Sequence, residues 1–161
     1  HPKVRATAVL TTEVTDMLLV DVNVLLYAID SSSAMHQPSR SWLTEALNQP
    51  GSVGFTWLVV VGFVRLATSA RVWPNPLSTS DAVDEAERWI TAPGSTLLEP
   101  TSRHLAVLRG LLDHAGAGAN LTNDAHLAAI AIEHGIDVCS FDTDFDRFVG
   151  LRRVEPGAGE G

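Results

Sequence analysis

Four aspartates stand where a cation-assisted hydrolysis could be assembled. Asp21 directly follows a short apolar run, Asp124 opens an alanine-rich segment, and Asp142 and Asp144 lie just beyond a second apolar run. Taken singly, each has an ordinary structural use: a strand-end cap, a helix N-terminal acid favoured by the dipole, a pair of turn formers. Brought together they pose an electrostatic problem. Two carboxylates ~4 Å apart repel by roughly 4 kcal/mol at an effective dielectric of about 20, so converging acids need protons or a cation. Oxygen ligands without a cluster of His or Cys point to Mg²⁺ or Mn²⁺ rather than zinc. Such an ion keeps waters and binds phosphate oxygens. It lowers the pKa of a bound water, orients it in line with a phosphodiester and stabilises charge on the leaving oxygen.

The remaining chain must position these acids. Residues 18–20 predict a buried parallel strand, with Asn23 capping a helix over 24–29. A second helix is predicted from 38 to 47, with proline in its first turn and Trp42, Leu43, Ala46 and Leu47 at helical spacing. Residues 52–56 predict a strand, 57–68 an apolar helix, and Pro74 and Pro76 a loop. Ser78, Thr79, Ser80 and Asp81 form a helix start whose periodicity runs to Ile90. A strand over 95–98, a helix from 101 or 102 to 113 ending in an Ala/Gly stretch, and a helix over 123–134 ended by Gly135 follow. Residues 136–140 complete the strand before Asp142, a short helix begins near 143, and 151–154 predict an edge strand. Strands alternating with helices predict a parallel sheet covered on both faces. Ligands in such sheets sit beyond the carboxyl ends of the strands, where strand order reverses. The four aspartates belong to that edge.

Composition bounds the rest. With 161 residues and 45% hydrophobic positions the chain makes one globular core, too apolar for disorder and without a membrane-length apolar run. The net charge of −8 argues against a polybasic nucleic-acid binder, although acids can also recruit phosphate through bound metal. Cys139 is the only cysteine, which excludes an internal disulfide and a cysteine zinc site and fits a reducing cytoplasm. Residues 1–16 carry no secretory-signal pattern and are read as an extension, 17–154 as the domain, and the Pro/Gly-rich 155–161 as a flexible tail.

Four landmarks in order carry a family resemblance. They are Leu18-Leu19-Val20-Asp21-Val22-Asn23, Gly62-Phe63-Val64-Arg65, Asn120-Leu121-Thr122-Asn123-Asp124-Ala125, and Ser140-Phe141-Asp142-Thr143-Asp144-Phe145. On these the chain resembles the PIN-domain ribonucleases, more narrowly the VapC-type toxins of bacterial toxin–antitoxin pairs. The resemblance implies a PIN-like three-layer α/β/α sandwich with a mainly parallel central sheet. It also implies Mg²⁺- or Mn²⁺-dependent hydrolysis of RNA such as tRNA or ribosomal RNA, suppression of translation, a homodimer, and a VapB-like antitoxin that blocks the site. By the same analogy Asp21, Asp124 and Asp142 are the catalytic metal ligands, Asp144 assists them, and Asn23 positions an acid or a metal-bound water. One departure stands out: the family usually has glutamate before the Phe-x-Arg element, and here the residue is Gly62. That glycine either permits a close approach or vacates the acid's place.

Other residues have two readings each. Arg65, one helical turn after Gly62, is a phosphate or antitoxin-carboxylate contact or a structural ion-pair member. His126 reads as a surface or packing residue, Cys139 as buried, and the four tryptophans as core or interface residues. The apolar helix near 57–67 reads as lying beneath the sheet or lining a dimer or antitoxin groove. Among rival functions, an aspartyl-phosphate phosphatase would want an aspartate where Asn23 stands. A phosphoacceptor domain would want a lysine near the acids, and the single lysine is Lys3. A PIN domain that binds RNA or a partner without cutting is the alternative that Gly62 favours.

Overall fold

Residues 16–116 and 121–158 are described by the computed structural model. Along the chain stand β1 (Leu18–Val20), α1 (Val22–Ile29), α2 (His36–Leu47), β2 (Val53–Phe55), α3 (Trp57–Ala67), α4 (Thr79–Ile90) and β3 (Ser95–Leu97). They are followed by α5 (His104–Ala115), α6 (Thr122–His134), β4 (Asp137–Cys139), a 3-10 helix (Thr143–Arg147) and β5 (Arg153–Val154). The strands form one sheet in the order β3-β2-β1-β4-β5, and every pairing is parallel. The chain builds outward from β1 through β2 to β3, then crosses back to lay β4 on the other side of β1. Right-handed crossovers in opposite directions send the two helix groups to opposite faces. Accordingly α1 packs against α2 and α3, α3 against α4, and α5 against α6. Strand residues on both sides of the pleat, among them Leu19, Val20, Val138 and Cys139, are fully buried. This is the α/β/α sandwich, and its switch point falls between the carboxyl ends of β1 and β4.

Local chemistry sets the element ends. Thr56, expected to finish a strand, instead caps α3 by accepting from the Val59 N–H at 3.3 Å, and Ser78 caps α4 by accepting from the Asp81 N–H at 3.0 Å. Asn23 is not the cap of the first helix: α1 starts at Val22, and Asp21 is the capping residue, taking the Val22 N–H at 2.7 Å. The aspartate directly follows the strand, where the chain turns into the helix, so it takes the cap and leaves Asn23 free for other partners. The helix expected from 101 or 102 begins at His104, because Thr101 is drawn toward Glu133 and turns the chain. Gly94 sits where a Cβ would lie 2.1 Å from the Ala46 carbonyl oxygen, so only glycine lets the entry to β3 pass over the end of α2.

The apolar α3 does not lie wholly beneath other elements. Val59, Val60, Phe63 and Ala67 are buried, while Trp57 is 49% and Val61 62% exposed. Phe63 meets Trp89 edge to face at 4.6 Å between ring centroids, a contact that anchors α3 to α4. Residues 155–158, at the start of the predicted tail, make a turn in which the Ala158 N–H donates to the Glu155 carbonyl, and Pro156 is buried. Residues 1–15, 117–120 and 159–161, which include most of the predicted extension, part of the Ala/Gly stretch and the tail end, lie outside the described residues. No helix among the described residues is long and apolar enough to cross a membrane.

Candidate metal centre

Asp21 leaves β1 at its carboxyl end and is buried, with 8% of its surface exposed. Its Oδ1 accepts from the Val22 N–H at 2.7 Å; its Oδ2 accepts from the Ser140 hydroxyl at 2.7 Å and from Asn23 Nδ2 at 3.3 Å. Ser140, fully buried at the end of β4, also accepts from the Asp142 N–H at 2.9 Å and from Asn23 Nδ2 at 3.1 Å. Asn23 Oδ1 accepts from the Phe141 N–H at 3.4 Å. One hydroxyl therefore ties the first strand's acid to the backbone of the last acidic turn. Sequence reasoning missed Ser140. The available signal was a small hydroxyl residue at a buried strand end, two positions before an acid.

The other acids come from two further elements. Asp124 is in the first turn of α6, where the helix dipole favours a carboxylate. Asp142 caps the 3-10 helix by accepting from the Asp144 N–H at 2.9 Å, which places Asp144 in that helix's first turn. Carboxylate oxygens of Asp124, Asp142 and Asp144 all lie within 4.8 Å of one another. Asp21 is not part of that group and is hydrogen-bonded to Ser140, yet its charge acts on Asp124. Burial first, then Asp142, Asp21 and Asp144, push the Asp124 carboxyl up to about 6. Asp21 is likewise raised, chiefly by burial and against the hydrogen bonds from Ser140 and Val22.

Asp21, Gly62, Arg65, Asn123 and Asp124 line one cleft of about 330 Å³. A Cβ added at Gly62 would meet only Val22 Cγ2, at 3.8 Å. Of the two readings of this glycine, the close approach is thus not what it serves, and the place is simply open. Arg65 is exposed at the mouth of the cleft and makes no salt bridge among the described residues, so its charge is available to an incoming anion. Cys139 is buried and its thiol is pushed up to about 12 by desolvation, which leaves it unreactive. His126 is half-buried, and its Nδ1 lies 2.8 Å from His104 Nε2.

The donor set fits a hard divalent cation: all-oxygen, three carboxylates in mutual reach, with the charge of a fourth acting on Asp124 and repulsion that a cation relieves. Comparison with known proteins agrees with the fold. The PIN domain family matches residues 18–151. Ribonuclease VapC37 of Mycobacterium tuberculosis is 46% identical over 142 residues, 88% of this chain and 99% of that protein. Ribonuclease VapC33 of the same organism is 39% identical over 140 residues, covering 87% and 98%. The DNA-bound VapBC of Salmonella typhimurium shares the fold at 14% identity, with a TM-score of 0.62 over 86% of this chain and 97% of that one. Sheet order, the acids at its switch point and these relatives together place the chain in the PIN-domain family, among the VapC ribonucleases.

Proposed function

We propose that this protein is a Mg²⁺- or Mn²⁺-dependent endoribonuclease, the toxin of a VapBC-type pair acting in the cytoplasm on tRNA or ribosomal RNA. The observation that carries the reading is the Asp124, Asp142 and Asp144 triangle at the sheet's switch point. Those three carboxylates would hold the ion, with Asp21 completing the charge from behind. When bound, a divalent cation there supplies neutralisation of phosphate charge and a water of lowered pKa. Ser140 and Asn23 keep the Asp21 carboxylate turned and fixed, so that its charge stays at the cleft floor. Arg65 offers a guanidinium to a phosphate at the mouth, the geometry for which Arg is suited. Hydrolysis adds water across the phosphorus to 3′-oxygen bond and leaves a 5′-phosphate and a 3′-hydroxyl, and RNA damage of this kind suppresses translation.

A VapB-like antitoxin is the partner supported by the surface. An apolar groove between α3 and α4, lined by Trp57, Val60, Val83 and Ile90, shares Val61 and Arg65 with the acid cleft. A segment lying in that groove would reach the acids, where a basic side chain would pair with them. The exposed face of α3 also supports a homodimer. The test is cleavage of tRNA and ribosomal RNA with Mg²⁺ or Mn²⁺, with Asp21→Ala as control. Metal-dependent cuts lost in the control support the enzyme. Absence of cleavage on every RNA favours a binding module, the reading to which the open place at Gly62 lends itself.

A further inference from the structure

Outside the cleft, a second chain of polar groups runs through the interface of α5 and α6. The Glu133 side chain has 0% exposure; its Oε1 accepts from the Thr101 N–H at 2.8 Å and the Thr101 hydroxyl at 2.6 Å. Its Oε2 lies 2.6 Å from His104 Nδ1, and His104 Nε2 lies 2.8 Å from His126 Nδ1. An ionised carboxylate only accepts, so His104 Nδ1 carries a hydrogen. His104 Nε2 and His126 Nδ1 share one hydrogen between them. The rings meet edge to face, with centroids 4.7 Å apart at 82°. One buried carboxylate thereby fixes the orientation of His104 and, through it, the partner of His126, as acceptors behind metal-ligating histidines fix those rings.

His126 stands two residues after Asp124, near the start of α6. That end of the helix is under load. Leu121 at its cap position makes no side-chain cap hydrogen bond. Asp124 faces two other carboxylates within 4.8 Å, a repulsion that acts to drive its turn away from them. We propose that the Glu133, His104 and His126 chain is a positioning device that ties the first turns of α6 to α5 and so keeps Asp124 in register with Asp142 and Asp144. The inference rests on the reading of Asp124 as a metal ligand. His104, His126 and Glu133 touch neither substrate nor ion; they act through the helix.

The test is Mn²⁺ binding by calorimetry on the full chain without RNA, with folding followed by circular dichroism. His126→Phe keeps the ring contact and removes the hydrogen bond. His126→Asn removes the ring and keeps a donor near the Nδ1 position. Positioning predicts that His126→Phe weakens Mn²⁺ about 10-fold, the usual scale for outer-shell partners, and that His126→Asn restores most of that loss. If packing alone mattered, the order of the two variants would reverse, and that overturns the proposal. His104→Asn keeps a partner for Glu133 and breaks the link to His126, so it serves if His126→Phe does not fold; wild-type Mn²⁺ affinity in folded His104→Asn also overturns it. Wild-type affinity in His126→Phe beside lost affinity in Asp124→Asn overturns the positioning role alone. No Mn²⁺ binding by the wild type overturns the ligand reading and this inference with it.

Discussion

Removing the charge of Asp124 should make the metal-free protein more stable at neutral pH. The carboxyl is held up to about 6 from an ordinary 3.8, so the folded state binds its proton more tightly than the unfolded chain does. That difference corresponds to about 3 kcal/mol, and screening in a cleft open to water reduces it to about 1–2 kcal/mol. Losing the favourable helix-dipole contribution of Asp124 takes back about 0.3–1 kcal/mol. Asp124→Asn should therefore gain about 1 kcal/mol above pH 7, or about 2–4 °C in Tm for a chain of this length. The sign follows from the raised pKa. Wild-type stability from this group is fully present below the unfolded value of 3.8 and is lost as pH rises through about 6, whereas asparagine does not ionise. The stability difference should be absent near pH 4 and grow through pH 6. Thermal unfolding in chelator at pH 4 to 8 measures it. A difference that does not change with pH, or a variant less stable than wild type at pH 8, refutes the reasoning.

Ser140→Ala removes the hydroxyl shared by Asp21, Asn23 and Asp142; a loss of about 2 kcal/mol by urea unfolding is expected, with weaker Mn²⁺ binding, and an unchanged protein would contradict its linking role. Gly62→Glu fills an open place with a further acid beside Asp21 and Asp124 and removes a helix glycine worth ~1 kcal/mol, so calorimetry should show tighter Mn²⁺ binding in a folded variant. Gly94→Ala puts a methyl against the Ala46 carbonyl and should cost about 2–4 kcal/mol, read as a fall in Tm; a silent substitution would contradict the close approach. Cys139 should resist thiol reagents in the native state at pH 8 and react once the chain is unfolded.

The sheet and its acidic edge are legible in the sequence. Parallel strands buried on both faces read as continuous apolar runs, and the runs ending at Asp21 and Ser140 mark the two strands that flank the switch point. The acids after them, and Asp124 at a helix start, follow from that topology. Local competition is less legible. Asn23 and Asp21 are both good caps, and which one closes α1 depends on where the strand releases the chain. Ser140 carries no charge to attract notice; its role arises only when β1 and β4 are side by side. The Glu133, His104 and His126 chain is hidden for the same reason, since His104 is 29 residues from Glu133 and 22 from His126 and meets them only when α5 and α6 pack. Sequence also leaves two readings of Gly62, and the space beside it separates them.

The proposed site has three aspartates from two elements hold one divalent cation at the switch point. Anomalous diffraction from crystals soaked in Mn²⁺ tests it directly. A peak is expected within coordination distance of Asp124, Asp142 and Asp144 carboxylate oxygens, with no such peak in Asp124→Asn. A peak elsewhere in the molecule, or an undiminished one in the variant, would contradict it.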